Sequence, residues 1–370
     1  MKNKIKILFV IPNSQISGAE GQLLLLIENL DRNQFDIETS CLEGEGPFSD
    51  YVKSIGFITN DFDRKMSYDF SRLIKLYKLI KRKKYDIIIP FCWSAIQYTR
   101  LASYLLPSIH VACERGHDYD KISIENIISM FLDPISELII FNSKNQMNGF
   151  LNNFRFKKVP VKTIYNGINI DSFKGDKIDT LHNGLKISKG TKLIGTVGNF
   201  TKVKNFEMFI DVCERISNKY GNVKFLAIGD GHNRKIYESI VVSKNLQKKL
   251  IFLGYKKEIN QIFPMLDIFL LTSNREGMPN VIMEAMASKI PVISTSIDGA
   301  KELINHETNG FLVERKDISG MVNIILNIFK DNYDIDKIKS NAYENISKNF
   351  SVNKMVNQYE ETFIYLYENK

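Results

Sequence analysis

The chain has only four cysteines in 370 residues, Cys41, Cys92, Cys113 and Cys213. They lie far apart and form no CxxC pair and no Cys/His cluster. That excludes a disulfide framework and a structural zinc site, and fits a reducing compartment. Gly and Pro together number 30 (21 + 9), and the hydrophobic fraction is an ordinary 44%, so a low-complexity or disordered chain is excluded. No apolar stretch approaches the roughly 18 residues needed to span a bilayer. The opening MKNKIKILFVIPN sets lysines before an apolar run, but ILFVI is too short for a signal core. Pro12-Asn13 then ends it without a small-residue cleavage site. It reads as a buried first strand, and the expectation is a cytoplasmic protein, soluble or peripheral at the inner face of the membrane. Two phosphate-binding fingerprints are also missing. There is no G-x-x-x-x-G-K-[ST], and no G-x-G-x-x-G after a strand.

The net charge is small as well. The 50 basic and 42 acidic residues give +8, divided evenly at residue 170 as 22 against 18 and 28 against 24. Neither half is a basic arm, and no nucleic-acid partner is expected. The one local exception is residues 72–84, where Arg72, Lys75, Lys78, Lys81, Arg82, Lys83 and Lys84 carry no acid between them. Such a run is either a solvated helix face or a contact with anionic lipid, where each basic residue adds about 1 kcal/mol close to the headgroups. Three D-x-D pairs occur, at Asp61/Asp63, Asp118/Asp120 and Asp334/Asp336. With 21 Asp in the chain, about one is expected by chance, and none follows a Rossmann-like strand with further ligands nearby. No metal and no cofactor are therefore expected.

What the sequence does contain is alternation. Short apolar runs, KIKILFVI, FDIETSCL, YDIIIPF, HVACE and ELIIFN, are separated by helical patterns at 22–29, 48–55 and 72–83. After a polar stretch at 171–190 the pattern restarts with TKLIGTVGNF, VKFLAIGDG, KLIFLG, DIFLLTS and PVISTS, with helices at 207–219 and 281–288. Two βαβ series predict an α/β fold of two doubly wound, Rossmann-like domains at 1–170 and 186–345. The segment 357–367, within a C-terminal helix over about 350–370, is expected to pack on either domain, including back on the first.

In such sheets ligands gather beyond the carboxyl ends of the strands, so polar residues there carry most weight. The strongest candidate is the stretch SNREGMPNVIMEAMASKIPVISTSIDGAKELI, residues 273–304. Glu276 follows a strand, Pro279 suits the first turn of a helix, and Glu284 lies eight residues on, inside that helix. One carboxylate can face a reacting group while the other reaches a second polar part of the same ligand. The amides of Gly277, Met278, Pro279's neighbour Asn280, and Val281 lie between them, at the helix start.

This stretch resembles the E-x7-E signature of the family 4 retaining glycosyltransferases, which have the GT-B fold, and the likeness runs from the SGAE loop near residue 17 to GFLV at 310. The resemblance implies two facing Rossmann-like domains with an interdomain cleft. It implies Glu276 beside the transferred sugar and Glu284 on the nucleotide ribose, with Gly277, Met278, Pro279, Asn280 and Val281 as donor contacts. VGNFTKVKNFEMFI, residues 197–210, is similar to the family's Gly-Arg…Lys element, so Lys204 would neutralise the donor diphosphate. Asn199 stands where the family has Arg, which removes one fixed charge from the phosphate clamp, and Lys202 is placed to compensate.

The loop at 13–21 resembles the family's GGAE-type loop with Ser17 for the first Gly, which makes Gly18 a donor contact. YNGINIDSF, residues 165–173, resembles the element before the interdomain linker. The resemblance places the base near the Gly254 backbone, whereas Gly229-Asp230-Gly231 reads equally as a tight turn. In ACERGHDYD the resemblance makes His117 the sugar contact, with Arg115 in reserve. The reaction so implied moves a hexose or N-acetylhexosamine from a nucleoside diphosphate sugar, UDP-linked, to a saccharide or lipid-linked acceptor in capsule, lipopolysaccharide or related surface-polysaccharide synthesis. A catalytically silent donor-binding partner subunit and a sugar-nucleotide epimerase share the fold. Transfer by the isolated chain separates the first, and donor conversion without acceptor the second.

Overall fold

The computed structural model describes residues 4–63, 70–116, 123–153, 159–173, 187–188 and 190–370. The chain forms two compact units, Met1–Gly167 with Val352–Lys370, and Ile168–Ser351. The division thus falls at Gly167/Ile168, and the C-terminal helix Val352–Glu368 joins the first unit. The polar stretch at 174–186 lies outside the described residues.

The central apolar runs become strands because they are buried on both faces of a parallel sheet, while the edge strands are only partly buried. In the first unit the strands are β1 (Ile5–Ile11), β2 (Phe35–Cys41), β3 (Ile58–Thr59), β4 (Ile87–Pro90), β5 (Ile109–Glu114), β6 (Leu138–Phe141) and β7 (Val161–Thr163). They pair in the order β3-β2-β1-β4-β5-β6-β7, all parallel. In the second unit β8 (Lys192–Val197), β9 (Val223–Ile228), β10 (Leu250–Gly254), β11 (Ile268–Leu271), β12 (Val292–Thr295) and β13 (Phe311–Val313) pair as β10-β9-β8-β11-β12-β13. Both orders reverse direction at their first strand. Loops after β1 and β4, and after β8 and β11, therefore open onto a crevice at the carboxyl end of each sheet.

The C-terminal helix docks on the first sheet through its apolar stripe. Phe363 lies edge-on to Phe9 and Phe35 at 6.4 and 6.1 Å between ring centres, and Met355, Val356 and Tyr359 fill the same core. Full burial of each such side chain contributes roughly 1.5–3 kcal/mol. No helix among the described residues is long and apolar enough to cross a membrane.

Two expectations need correction. The basic run at 72–84 is not one solvated face. Arg72 is buried, donating from Nη1 to the Leu42 carbonyl (3.1 Å) and from Nη2 to the Tyr98 hydroxyl (3.0 Å). Lys83 bonds Glu38 at 2.9 Å. Lys75, Lys78, Lys81, Arg82 and Lys84 remain exposed. The helix holding Glu284 is Asn280–Ala287, and Pro279 is its N-cap in an extended conformation rather than a first-turn residue. Of the D-x-D pairs, Asp61 accepts from the Cys41 amide and the Thr59 hydroxyl. Asp334 caps the helix Ile335–Asn349 and Asp336 pairs with Lys339. Asp118 and Asp120 lie outside the described residues.

Candidate functional site

The second unit brings Lys204 and Glu276 together at the β8/β11 crevice. β8 ends at Val197, and the chain turns through Gly198 and Asn199 into a 3-10 turn, Lys202–Lys204. Asn205 then takes a left-handed conformation (φ 48°) and starts the helix Phe206–Lys219. The turn is tied to the loop after β11 by bonds from the Asn274 amide to the Val203 carbonyl (2.8 Å), from Asn274 Nδ2 to the Lys202 carbonyl (3.4 Å) and from the Thr272 hydroxyl to the Lys204 carbonyl (3.2 Å). Lys204 Nζ is thereby delivered onto Glu276 Oε1, with which it forms an ion pair. The Ser273 hydroxyl donates to the same oxygen at 2.8 Å, and Thr295 Oγ1 on β12 holds the Ser273 carbonyl at 2.6 Å. Three neighbouring strands thus fix one carboxylate, whose side chain is only 16% exposed.

Glu284 sits on the helix that follows. Its Oε2 is shielded from solvent and has no hydrogen-bond partner among the described residues. Burial without compensation pushes its carboxyl up to about 7 from 4.5, because the charged form loses its water and gains nothing in exchange. A buried acceptor of this kind is a place for a ligand's hydroxyl donor. Gly277, Met278, Pro279, Asn280 and Val281 link the two carboxylates, with Met278 and Pro279 buried. Gly299, which sequence reasoning passed over, decides where this loop lies. A Cβ there would stand 2.4 Å from the Gly277 carbonyl oxygen and 2.9 Å from that of Glu276. The only sequence signal was Asp-Gly soon after a strand.

Asn199 is exposed beside this turn, and Gly254 ends β10 with φ 69°. The Gly254 carbonyl accepts from the Gly229 amide at 2.9 Å. A Cβ on Gly229 would lie 2.1 Å from the Gly198 carbonyl, and one on Gly231 2.7 Å from the Phe200 amide. The glycines of GDG therefore let two loops touch, and the turn itself comes after them, closed by the Arg234 amide on the Gly231 carbonyl at 3.0 Å. A concavity of about 590 Å³ in this unit, lined by Lys192, Asp267 and Lys289, lies where β8 and β11 begin, the opposite end of the sheet from these groups.

In the first unit Gly18 is exposed at the first turn of the helix Gly18–Asn29, beyond β1. Buried Glu20 turns back to take the Ser17 amide at 3.3 Å and the Ser17 hydroxyl, so the loop is held by its own helix. Arg115 follows β5, but both terminal nitrogens of its guanidinium are taken, leaving only Nε without a partner among the described residues. Nη1 donates to Asn166 Oδ1 and Nη2 to the Tyr359 hydroxyl (2.7 Å), while the group lies 4.8 Å over the Phe91 ring. It clamps the C-terminal helix. His117 lies outside the described residues.

Comparison with known proteins follows the same division. Residues 16–172 match the model described as Glycosyltransferase Family 4, and residues 177–345 that of Glycosyl transferases group 1. A UDP-Gal:alpha-D-GlcNAc-diphosphoundecaprenol alpha-1,3-galactosyltransferase of Escherichia coli is 27% identical, over 100% of this chain and 99% of its own. The capsular polysaccharide biosynthesis glycosyltransferase CapM of Staphylococcus aureus is 23% identical, over 95% and 94%. Among solved structures, Anabaena HepE in complex with UDP superposes with a TM-score of 0.86 at 23% identity, over 97% of this chain and 100% of that one.

Proposed function

Since this chain belongs to the family 4 glycosyltransferases of GT-B fold, we propose that it is a retaining hexosyltransferase with a UDP-linked donor held by its second unit. The observation that carries the reading is the Lys204–Glu276 pair at the β8/β11 switch point, with the orphaned Glu284 carboxyl eight residues beyond. The transferred group is a hexose or N-acetylhexosamine. The acceptor is a saccharide or lipid-linked saccharide of surface-polysaccharide synthesis at the cytoplasmic face, as the names of the bacterial relatives suggest.

Each residue then has a chemical task. Departure of the diphosphate leaves an oxocarbenium-like sugar, so the reaction speeds up when charge on the leaving group is stabilised in advance. Lys204 supplies a fixed cation, and its pairing with Glu276 holds both groups in place before the donor arrives. Glu276 holds sugar hydroxyls, and Glu284 accepts from the ribose diol. The start of the helix Asn280–Ala287 adds partial positive charge near the diphosphate. The acceptor hydroxyl attacks from the face the diphosphate leaves, and a leaving phosphate oxygen takes its proton. No step draws on a metal in this reading, so transfer should persist in EDTA.

The test is purified chain with candidate UDP-sugars and acceptors. Glu276→Ala should abolish transfer while UDP still binds, and unchanged turnover in that variant would refute the assignment.

A further inference from the structure

The helix Ile124–Leu132 is inside out. Its buried residues are polar, Asn126 and Ser129, while Ile124, Ile127, Ile128 and Phe131 are 77, 45, 38 and 72% exposed. Its inner face is therefore held by hydrogen bonds. Ser129 Oγ accepts from Trp93 Nε1 at 2.9 Å and from Gln97 Nε2 at 3.1 Å, both on the helix Trp93–Ser103. Gln97 Oε1 in turn accepts from Arg100 Nη1 at 3.3 Å. Arg100 pairs with Asp133 at 2.6 Å, just beyond the end of Ile124–Leu132. Gln97, Arg100, Ser129 and Asp133 are all buried.

This chain of bonds ends on His110, a buried residue of β5. Its Nδ1 lies 2.9 Å from Ser136 Oγ, which also accepts from Arg100 Nε at 2.9 Å. Counting protons assigns the state of the ring. The Ser136 oxygen has no further partner among the described residues, so its hydroxyl donates to His110 Nδ1. The ring is then neutral and carries its proton on Nε2, which has no partner among the described residues.

A second proton would be costly here. On Nδ1 it removes the acceptor of the Ser136 hydroxyl, and the new charge is buried beside the Arg100 guanidinium. Burial first, and Arg100 second, hold the ring's pKa well below its ordinary 6.5. The two acids nearby are already engaged. Asp133 is paired with Arg100, and Glu137 Oε2 takes the main-chain amide of His110 at 2.7 Å.

We propose that His110 is an acid-sensitive latch, whose protonation breaks the Ser136 link and with it the polar anchorage of the helix Ile124–Leu132. The turn Asp133–Ile135, which joins that helix to β6, would be released with it. The latch belongs to the first unit and is independent of the donor chemistry assigned to the second.

The direction of its pH dependence follows from the ring. A proton bound more weakly in the closed form leaves that form fully stable above about pH 6.5 and less so as pH falls below it. Between pH 7.5 and pH 5 the opening constant should rise roughly thirtyfold, the response of one group that regains its ordinary pKa on opening.

Hydrogen exchange of the full chain, corrected for intrinsic rates, measures that constant. Residues 124–136 should lose protection on this schedule while β1 and β4 keep theirs. Trp93, the one tryptophan of the sequence, gives a single indole N–H signal that reports the Ser129 bond and should exchange in step. His110→Asn keeps an acceptor near the place of Nδ1 but cannot take the proton, so it should abolish the pH response. Ser136→Ala should move the response to higher pH, because the neutral ring loses the donor that favours it. That variant decides the matter if His110→Asn does not fold.

An opening constant that stays level down to pH 5 would overturn the proposal. So would a response that persists in His110→Asn, or one that Ser136→Ala leaves in place. Loss of protection in β1 and β4 over the same range would also overturn it, since the opening would then be global rather than a release of one helix.

Discussion

Lys204 and Glu276 are 72 residues apart in the chain and form an ion pair because β8 and β11 are adjacent in the sheet. That pairing places a cation and a carboxylate in one crevice before any ligand arrives, and it makes their effects non-additive.

Lys204→Ala should lower kcat by roughly 10²–10³, the scale seen when one preorganised charge-stabilising group is removed. UDP binding should weaken in parallel. Steady-state kinetics with calorimetric UDP titration checks both, and an unchanged kcat would remove Lys204 from the leaving-group role.

Glu284 predicts a pH dependence of stability. Its folded carboxyl titrates at about 7 against 4.5 ordinarily, so the folded state binds the proton more tightly. The associated stability is complete below about pH 4.5 and is lost as pH rises through 7, by at most ~3 kcal/mol. Glu284→Gln should flatten this slope in thermal melts of the nucleotide-free protein. Ribose hydroxyls donating to the carboxylate favour its ionised form, so UDP binding near neutral pH should release a proton. Calorimetry in buffers of different ionisation enthalpy measures that release.

Gly299→Ala should disturb the site without touching a charged group. The added methyl meets backbone carbonyls of Gly277 and Glu276, which cannot rotate away. A loss of about 1–3 kcal/mol is expected from the overpacking, together with reduced transfer because the Glu276 loop is displaced. Wild-type melting and turnover would show that the loop yields freely.

Arg115 divides two readings cleanly. As a clamp on Tyr359 and Asn166, its replacement by Ala should lower the melting temperature and leave the donor KM unchanged. Tyr359→Phe should do the same more mildly, losing one charge-assisted bond of about 1.5–3 kcal/mol. A raised KM with an unshifted melt would instead return Arg115 to the sugar.

The apolar runs at KIKILFVI, TKLIGTVGNF and DIFLLTS were legible as strands because burial on both faces demands uninterrupted Ile, Leu, Val and Phe. The spacing of Glu276 and Glu284 was legible because both lie on one short strand–loop–helix segment. Helices such as Ile124–Leu132 were harder to place, since their apolar residues do not face the core and so break the link between periodicity and burial.

By itself, then, the sequence determined the two α/β halves, the loops at strand ends and the glutamate pair, all matters of local pattern and spacing. Tertiary structure alone decided that Lys204 meets Glu276, that Glu284 Oε2 is left without a partner, that Arg115 serves the C-terminal helix, and that Arg72 is buried while its neighbours stay exposed. Each of these depends on which strands and helices become neighbours, and a side chain's partner and its solvation are set by what packs beside it rather than by the residues next to it in the chain.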